Sequence, residues 1–466
     1  MCQQVWKILH KFSSRPEFVW LASIGIYWIA LYPARFGIDI NHLIEAYQKN
    51  SSVAQWTATW YRFFQLISLN GNFVGLASLV GMALYAVSLE CYLRAFSRSK
   101  KTLDLSRALF AFSPFYGVYG MTLDHNLYTV IGAINLVTLL KLKKWQPQGL
   151  TLFKSTSFRF LWLTLSFLFI QMTHQGALLA IVFSIFYFHI RSMIVIGVIV
   201  VYTLASPKIL DVSNRWENMR LFPFVADIKC VVQHQEVELS ESQLSLLERM
   251  GKVAEWKKPL SCAVADHAFF ALKDTRISSG EVIQLWAELT MKYPQIVITA
   301  HIQKSAMALP PPFFRGQPNM MPTDSRIPAG QGTSVELQQW SELFKSSIDN
   351  ELLKSNRPSI TVLLEPLPLL MAFVFNQNSA FWGWGGMWMM FYFILIFTHE
   401  RKARKELFQV SLLLMSLSIV LFFVSPISSP RYAYLQIVIG ILSLLDFIFA
   451  KTQRTKTSKG LENNEN

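Results

Sequence analysis

Residues Phe73–Leu93, FVGLASLVGMALYAVSLECYL, form a nearly uninterrupted apolar stretch. Its 21 residues are enough to cross a bilayer as a helix, which takes about 20 residues. Similar stretches lie on both sides of it, and together they predict an all-α polytopic membrane protein with about ten transmembrane helices. The ten candidate spans are Phe18–Phe36, Phe73–Leu93, Ala108–Leu123, Leu127–Leu142, Phe160–Met172, Ala177–Ile190, Met193–Pro207, Phe381–Phe397, Leu407–Ser425 and Tyr432–Ala450.

The first span and the third to seventh spans differ from an ordinary full crossing. The third to seventh are shorter than a full crossing, so we expect them to be tilted, locally buried or partly broken. The first follows Lys7, Lys11 and Arg15 and has the general look of a signal peptide. Its length and the lack of an A-x-A cleavage site favour a retained membrane anchor.

The composition of the 466 residues agrees with a membrane protein. Hydrophobic residues make up 52% of the chain and charged residues only 15%, and the mean hydropathy is +0.32. Soluble domains are about a quarter charged, so these values exclude a disordered, collagenous or ordinary cytosolic protein. Four cysteines are too few for a scaffold held together by disulfides.

The net charge of +14 is unevenly distributed. Ser206–Pro358 is a polar segment whose 17 basic and 17 acidic side chains cancel, so the rest of the chain carries the whole excess. The basic residues outside it cluster in short links, which are Arg94–Arg107, Lys141–Arg159, Arg191, Arg401–Lys405 and Lys451–Lys459. Short cytoplasmic loops are rich in Lys and Arg. The charge therefore indicates orientation, with both termini cytoplasmic, and not a nucleic-acid-binding surface.

Ten crossings place the polar segment outside the membrane, between spans seven and eight. This count treats the apolar stretch Ile360–Phe375 as interfacial or re-entrant because it contains two prolines. A rival count fuses Phe160–Ile190 into one span and lets Ile360–Phe375 cross, which makes the polar segment cytoplasmic. We favour the first count, because fusion would bury a polar turn at 173–176 in mid-helix and expose Arg191 outside.

The chain thus divides into four predicted parts. They are an N-terminal transmembrane module, 1–205, whose first outer loop is 38–70; an extracytoplasmic loop domain, 206–358; a C-terminal transmembrane module, 359–450; and a basic polar cytoplasmic tail, 451–466. Within the loop domain, Glu241–Ala254 and Ser279–Lys292 have helical periodicity with acidic starts and basic ends. Leu309–Gly332 is rich in Pro and Gly and predicts a loop.

The motifs of soluble enzymes are missing from the sequence. It contains no G-x-G-x-x-G, no G-x-x-x-x-G-K-[ST], no H-E-x-x-H and no C-x-x-C. This argues against an ATP-driven pump in this chain alone. Ionisable residues at membrane depth are the stronger signal, because a charge there is costly and usually functional.

Two acids are predicted at the outer surface. Asp39 follows the first span. It is either a solvated loop acid or an N-cap for a helix at Asn41–Tyr47, or else a general base for an acceptor hydroxyl. Asp124 precedes His125 and the fourth span, and either caps that helix or works with Asp39. Two such carboxylates can position an acceptor or hold a divalent cation, which prefers oxygen ligands.

Two further polar positions lie on the same side. His174 and Gln175 either close a hairpin between spans five and six or contact a sugar or phosphate. Arg431 and Tyr432 open the last span; Arg431 either extends to the membrane interface or binds a lipid-linked phosphate by bidentate hydrogen bonds.

The cysteines leave a choice open. Cys230 and Cys262 lie in the polar segment and either form a disulfide, if that segment is outside the cell, or remain buried thiols. Cys2 and Cys91 have the character of structural residues.

In their order along the chain, these features resemble the GT-C superfamily of integral membrane glycosyltransferases, especially its protein-mannosyltransferase-like and bacterial members. The resemblance covers Phe18–Ile190 and Phe381–Ala450. It rests on an acid after the first span (Tyr32–Asp39), an amphipathic outer stretch (Val53–Leu69), a second acid (Met121–Asp124), a polar break (Thr173–Gly176) and a late Pro-Arg-Tyr (Pro430–Tyr432). Many relatives have a His-Pro pair in the first outer loop, where this chain has Trp56–Thr57.

The resemblance implies transfer of a sugar from a polyprenyl-phosphate-linked donor to an acceptor at the outer face of a bacterial plasma membrane. Asp39 then matches the catalytic acid of the first outer loop and Asp124 the second acidic position, while Arg431 matches a basic residue near the donor phosphate. The implied partners are the lipid-linked donor, membrane lipid, and a glycan, polymer or protein acceptor. Apart from a possible divalent cation, no cofactor is implied.

Two other functions compete with this one. An O-antigen-type polysaccharide polymerase or ligase is also multispanning with a large external loop, but relies more on loop arginines than on a first-loop carboxylate. A transporter is less favoured, since transporters typically have internal repeats and ion-binding residues at the midplane, and the acids here cluster at one surface.

Overall fold

The computed structural model confirms the all-α class. It describes residues 16–32, 38–54, 57–96, 100–142, 151–173, 176–188, 192–214, 221–259, 262, 265, 268–272, 277–305, 309, 364, 385–398, 401–424 and 435–444. Within these ranges the only β-strands are two of two residues each, β1 (Val53–Ala54) and β2 (Ser213–Asn214), which pair in parallel.

Helices account for most of the described residues. They are α1 Pro16–Ala30, α2 Ile38–Gln48, α3 Ala58–Ile67, α4 Val74–Phe96, α5 Lys100–Ala111, α6 Pro114–Gly120, α7 His125–Leu142, α8 Thr156–Ile170, α9 Gly176–Phe188, α10 Ser192–Ile209, α11 Phe222–Val232, α12 Glu241–Met250, α13 Val253–Lys257, α14 Ala268–Ala271, α15 Ser279–Lys292, α16 Pro294–Ser305, α17 Gly385–Thr398, α18 Arg401–Val424 and α19 Leu435–Leu444.

Several predicted boundaries change. The third span, Ala108–Leu123, is not one helix: α5 ends at Ala111 and Ser113 caps α6, which opens on a proline. This is the broken geometry expected of the shorter spans. The predicted helix Glu241–Ala254 stops at Met250, because Gly251 follows, and α13 begins at Val253. Ser279–Lys292 is confirmed, with a capping box between Ser278 and Glu281.

The first core is apolar and is built around α4. Helix α4 packs against α7, α7 against α8, and α9 against α10, while α17 and α18 pack together and contribute Trp388 and Leu414 to the same core. The two terminal apolar regions of the chain therefore share one hydrophobic core.

One described helix, Val74–Ala95, is long and apolar enough to cross a membrane, and 56% of its span is buried within the protein. Shorter apolar helices occur at Phe18–Ala30, His125–Leu140, Thr156–Ile170, Ile194–Ile209, Gly386–Phe397, Val410–Phe422 and Leu435–Leu444.

Helices α7 and α8 approach most closely at Gly132. A Cβ atom added at Gly132 would lie 2.5 Å from the backbone oxygen of Ser166, so the two helix backbones would have to move apart. We expect Gly132→Ala to destabilise the protein by about 1–3 kcal/mol, the usual cost of overpacking. Gly25→Ala is the matched control, since a Cβ there meets nothing within 4 Å.

Thermal unfolding in detergent measures both variants. Gly25→Ala should be neutral or slightly stabilising, because alanine favours a helix over glycine. Equal melting temperatures for the two variants would contradict the close α7–α8 contact.

An ion-pair network joins α1, α4 and α5. The Glu90 carboxylate accepts hydrogen bonds from Arg94 Nε (2.5 Å), Arg107 Nη2 (2.6 Å) and Trp20 Nε1 (2.8 Å). Arg107 also binds Asp104 Oδ1 at 2.8 Å. Because the Arg107 side chain is 5% exposed, its charge depends on these two acids for compensation.

The second core lies within the polar segment. It is formed by α11 to α16 around the buried side chains of Val225, Trp256 and Leu285. Helix α16 also packs against α18, which belongs to the apolar core. The described part of the polar segment from 221 to 305 is therefore a small helical body that packs on α18.

Candidate functional site

A group of buried polar side chains lies where α7 begins. Asp124 Oδ1 accepts hydrogen bonds from the backbone nitrogen of Asn126 (2.9 Å) and from Asn126 Nδ2 (2.8 Å). Asp124 therefore caps α7, as one of its two interpretations predicted. His125 Nδ1 lies 3.2 Å from the same carboxylate oxygen, and the His125 residue is 8% exposed.

Helix α3 lies against this start of α7. The ring of Trp60 is 6.2 Å from that of His125 and 5.3 Å from that of Tyr128, between ring centroids. Thr57 Oγ1 accepts from the Trp60 backbone nitrogen and donates to the carbonyl oxygen of Met172 at 2.9 Å. The N-terminus of α3 is thus fastened to the turn between α8 and α9.

That turn is the predicted polar break at 173–176. Thr173 Oγ1 accepts a hydrogen bond from Thr129 Oγ1 of α7 at 3.4 Å. A Cβ at Gly176 would lie 2.0 Å from the carbonyl oxygen of Ile170, so the turn requires glycine at this position. Gln171 Oε1 accepts from Thr203 Oγ1 of α10 at 3.2 Å. The turn therefore connects three helices at one end of the apolar core.

Three buried donors in this region have no hydrogen-bond partner among the described residues. They are Trp60 Nε1, Tyr128 Oη and Gln171 Nε2. Buried polar atoms are nearly always satisfied, so each such group calls for a physical explanation. A polar ligand or water molecules beside α3, α7 and the 171–173 turn would provide it.

Arg62 makes hydrogen bonds that the sequence did not predict. Its Nε donates to the carbonyl oxygen of Leu210 (2.7 Å) and its Nη2 to that of Asp211 (2.8 Å). These carbonyls end α10, where a cation is favourable. The available signal was that Arg62 is a basic residue within the predicted first outer loop, 38–70.

The structure brings Asp124 and His125 together with two segments of the predicted site, α3 and the turn ahead of His174. Asp39 lies in the first turn of α2, because that helix already starts at Ile38. The interpretation of Asp39 as an N-cap for a helix at Asn41–Tyr47 is therefore wrong. Its side chain is outside the described part of the chain, and the Asp39–Asp124 pair stays a prediction. His174, Gln175, Arg431 and Tyr432 also lie outside the described residues.

A second polar cluster was not predicted and lies in the core of the polar segment. The side chain of Asp227 is fully buried. Its carboxylate oxygens lie 2.5 Å from Lys304 Nζ, 2.8 Å from His301 Nε2 and 3.0 Å from Trp286 Nε1. Burial alone would raise the pKa of Asp227, but these donors hold it below its ordinary value. The only sequence signal was an acid within the apolar run of α11, which could equally be a solvated residue.

His301 connects this cluster to α18. Its Nδ1 lies 3.1 Å from the carbonyl oxygen of Phe422, and its ring is 5.4 Å from the Phe422 ring. The His301 ring therefore links Asp227 in the second core to the backbone of α18.

Among the described residues, one group combines three side chains of the metal-binding type. Cys230, His234 and Cys262 place their ligand atoms within 4.8 Å of one another. Cys230 and Cys262 form a disulfide, which settles the choice left open by the sequence. Asp124 does not belong to this group. Cys91 is a free, half-buried thiol.

Comparisons of the chain with protein-family models, with curated proteins and with solved structures found no match.

Proposed function

We propose that the chain is an integral membrane glycosyltransferase that takes a sugar from a polyprenyl-phosphate-linked donor. The observation that carries the proposal is the meeting of Asp124 and His125 with α3 and the 171–173 turn, beside three buried donors that have no partner in the described part of the chain. Hydroxyl and phosphate oxygens are the acceptors that such donors bind. The likeness of the ordered motifs to the GT-C superfamily supplies the reaction class.

Exposed apolar side chains support insertion of the chain in a bilayer. Helix α10 exposes Ile194, Val198 and Leu204 by 62–73%, and α8 exposes Phe160 by 70%. Soluble monomers rarely expose continuous apolar patches of this kind. In the proposed topology of ten spans, these helices face lipid, and both termini are cytoplasmic.

The arrangement along α4 supports the proposed orientation. Glu90, which holds Arg94 and Arg107, lies nine residues beyond Gly81, which is next to Tyr128 of α7. Nine helical residues extend about 13 Å. The basic network and the polar site are therefore at different depths, with the basic network toward the cytoplasm and the site toward the outer face.

In the proposed reaction, Asp39 removes the proton from an acceptor hydroxyl as that oxygen bonds to the anomeric carbon of the donor sugar. The bond from that carbon to the phosphate oxygen breaks, and the polyprenyl phosphate leaves. Asp124 positions the acceptor or holds a divalent cation with Asp39, while His125, His174, Gln175, Arg431 and Tyr432 contact donor or acceptor. Preorganised donors stabilise the negative charge on the leaving group.

Purified protein in proteoliposomes, supplied with a panel of radiolabelled polyprenyl-phosphate sugars and a membrane glycan extract, tests the activity. Transfer of label from lipid to a product is the expected result. Flux of a solute without any glycosylated product would overturn the proposal and favour a transporter.

Cysteine accessibility tests the topology on which the proposal rests. In a variant lacking Cys2 and Cys91, Lys252→Cys places a thiol on the polar segment and Lys100→Cys places one on a basic link; both lysines are exposed. A membrane-impermeant maleimide should label intact cells at position 252 and not at position 100. The reverse pattern would contradict the ten-span orientation.

A further inference from the structure

The Cys230–Cys262 disulfide has neighbours that a purely structural disulfide does not need. Cys230 is buried near the end of α11, and His234 lies two residues beyond the last helical residue, Val232. The sulfur atoms and a ring nitrogen of His234 lie within 4.8 Å of one another. Gln233 Nε2 donates a hydrogen bond to Cys262 Sγ at 3.0 Å.

The side chains around the two sulfur atoms are of the kind that stabilise thiolates. A disulfide sulfur is a weak acceptor, whereas a thiolate carries a charge that the Gln233 amide and a nearby cation stabilise. Lys229 Nζ lies 3.4 Å from Gln233 Oε1 and binds the carbonyl oxygens of Trp256 and Lys258. Lys229 thus holds the segment that leads to Cys262 against α11, whether or not the sulfur atoms are bonded.

We propose that, when the disulfide is reduced, Cys230, Cys262 and His234 bind one Zn²⁺ ion. Two thiolates and an imidazole are the ligands that Zn²⁺ favours, at about 2.3 Å for sulfur and about 2.0 Å for nitrogen. In a tetrahedral site these ligand atoms are roughly 3.3–3.8 Å apart. The sulfur atoms must separate from their bonded distance, and the imidazole is already within reach; a water molecule takes the fourth position.

Reduction of the disulfide by thiol–disulfide exchange takes two steps. A thiolate of a dithiol reductant attacks Cys262 Sγ, the half-buried sulfur, and the bond to Cys230 Sγ breaks. The second thiolate of the reductant attacks the mixed disulfide, so the reductant leaves as a cyclic disulfide and both cysteines become thiols. Zn²⁺ then displaces one proton from each thiol and binds the neutral imidazole.

The experiment measures zinc bound to the full-length protein in detergent, after treatment with a dithiol, removal of the reductant and equilibration with ZnCl₂ under nitrogen. Reduced wild-type protein should hold one Zn²⁺ more per chain than the Cys230→Ser/Cys262→Ser variant, which controls for Cys2 and Cys91. Untreated protein should match the double variant, and reoxidation should release the zinc.

His234→Ala keeps the disulfide and so remains informative if the serine variants fail to fold. It should weaken zinc binding by the reduced protein at least about tenfold, as expected for a lost ligand. The matched control is Gln235→Ala, an exposed neighbour, which should bind as the wild type does. Reduced wild-type protein that holds no extra zinc, or His234→Ala with wild-type affinity, would overturn the site.

Discussion

Replacing Lys304 by methionine is expected to unfold the core of the polar segment. Lys304 and Asp227 form an ion pair at 2.5 Å, and their side chains are 1% and 0% exposed. Removing one partner of a buried pair leaves an uncompensated charge and costs about 3–5 kcal/mol. Lys304 also donates to the carbonyl oxygen of Pro223 at 3.3 Å, and methionine cannot replace that bond.

Thermal unfolding followed by tryptophan fluorescence measures this effect, because Trp256 and Trp286 both belong to the polar segment and Trp286 bonds to Asp227. The double variant Asp227→Asn/Lys304→Met removes both charges and keeps an oxygen for the Trp286 bond. It should therefore lose less stability than Lys304→Met alone.

The matched control is the other ion pair of the same segment, Arg249 with Glu281, which has the same 2.5 Å separation but is exposed. Hydrogen bonds from Arg249 and Ser278 hold the pKa of Glu281 at about 2. Because water screens exposed charges, Arg249→Ala should leave the melting temperature nearly unchanged. Equal losses from Arg249→Ala and Lys304→Met would show that burial of the Asp227 pair has no special effect.

Asp39→Asn is expected to reduce glycosyl transfer by at least about 100-fold, the contribution of a general base. Asparagine has nearly the same shape as aspartate but cannot take a proton from the acceptor. The control is Asp211→Asn, which changes an exposed acid at the end of α10 that has no role in the proposed site. Asp211 has a φ of +49°, a conformation that asparagine also adopts, so this variant should retain wild-type activity.

Asp124 allows its structural and chemical roles to be separated. Asparagine is as good an N-cap as aspartate, whereas alanine loses the cap of α7 and about 1 kcal/mol of stability. Asp124→Asn should therefore keep the melting temperature and lose activity, and Asp124→Ala should lose both. Full activity in Asp39→Asn would contradict the glycosyltransferase and favour the O-antigen-type polymerase or ligase.

The sequence predicted local features well where a few neighbouring residues determine them. The helix Ser279–Lys292 is confirmed because its capping box and apolar spacing lie within the segment itself. The Asp124 cap depends on residues one and two positions further on. The third span is broken at Ser113–Pro114, although its composition alone favoured a crossing.

Composition and spacing by themselves determined the all-α class, the uneven charge and the polar character of Asp124 and the 173–176 turn. Only the tertiary structure decided which of these features meet. The Thr57–Met172 bond spans 115 residues, the Asp227–Lys304 pair 77, and the Cys230–Cys262 disulfide 32. Helix signals act over a few residues through backbone hydrogen bonding, whereas these contacts exist because packing of the helices brings distant parts of the chain together.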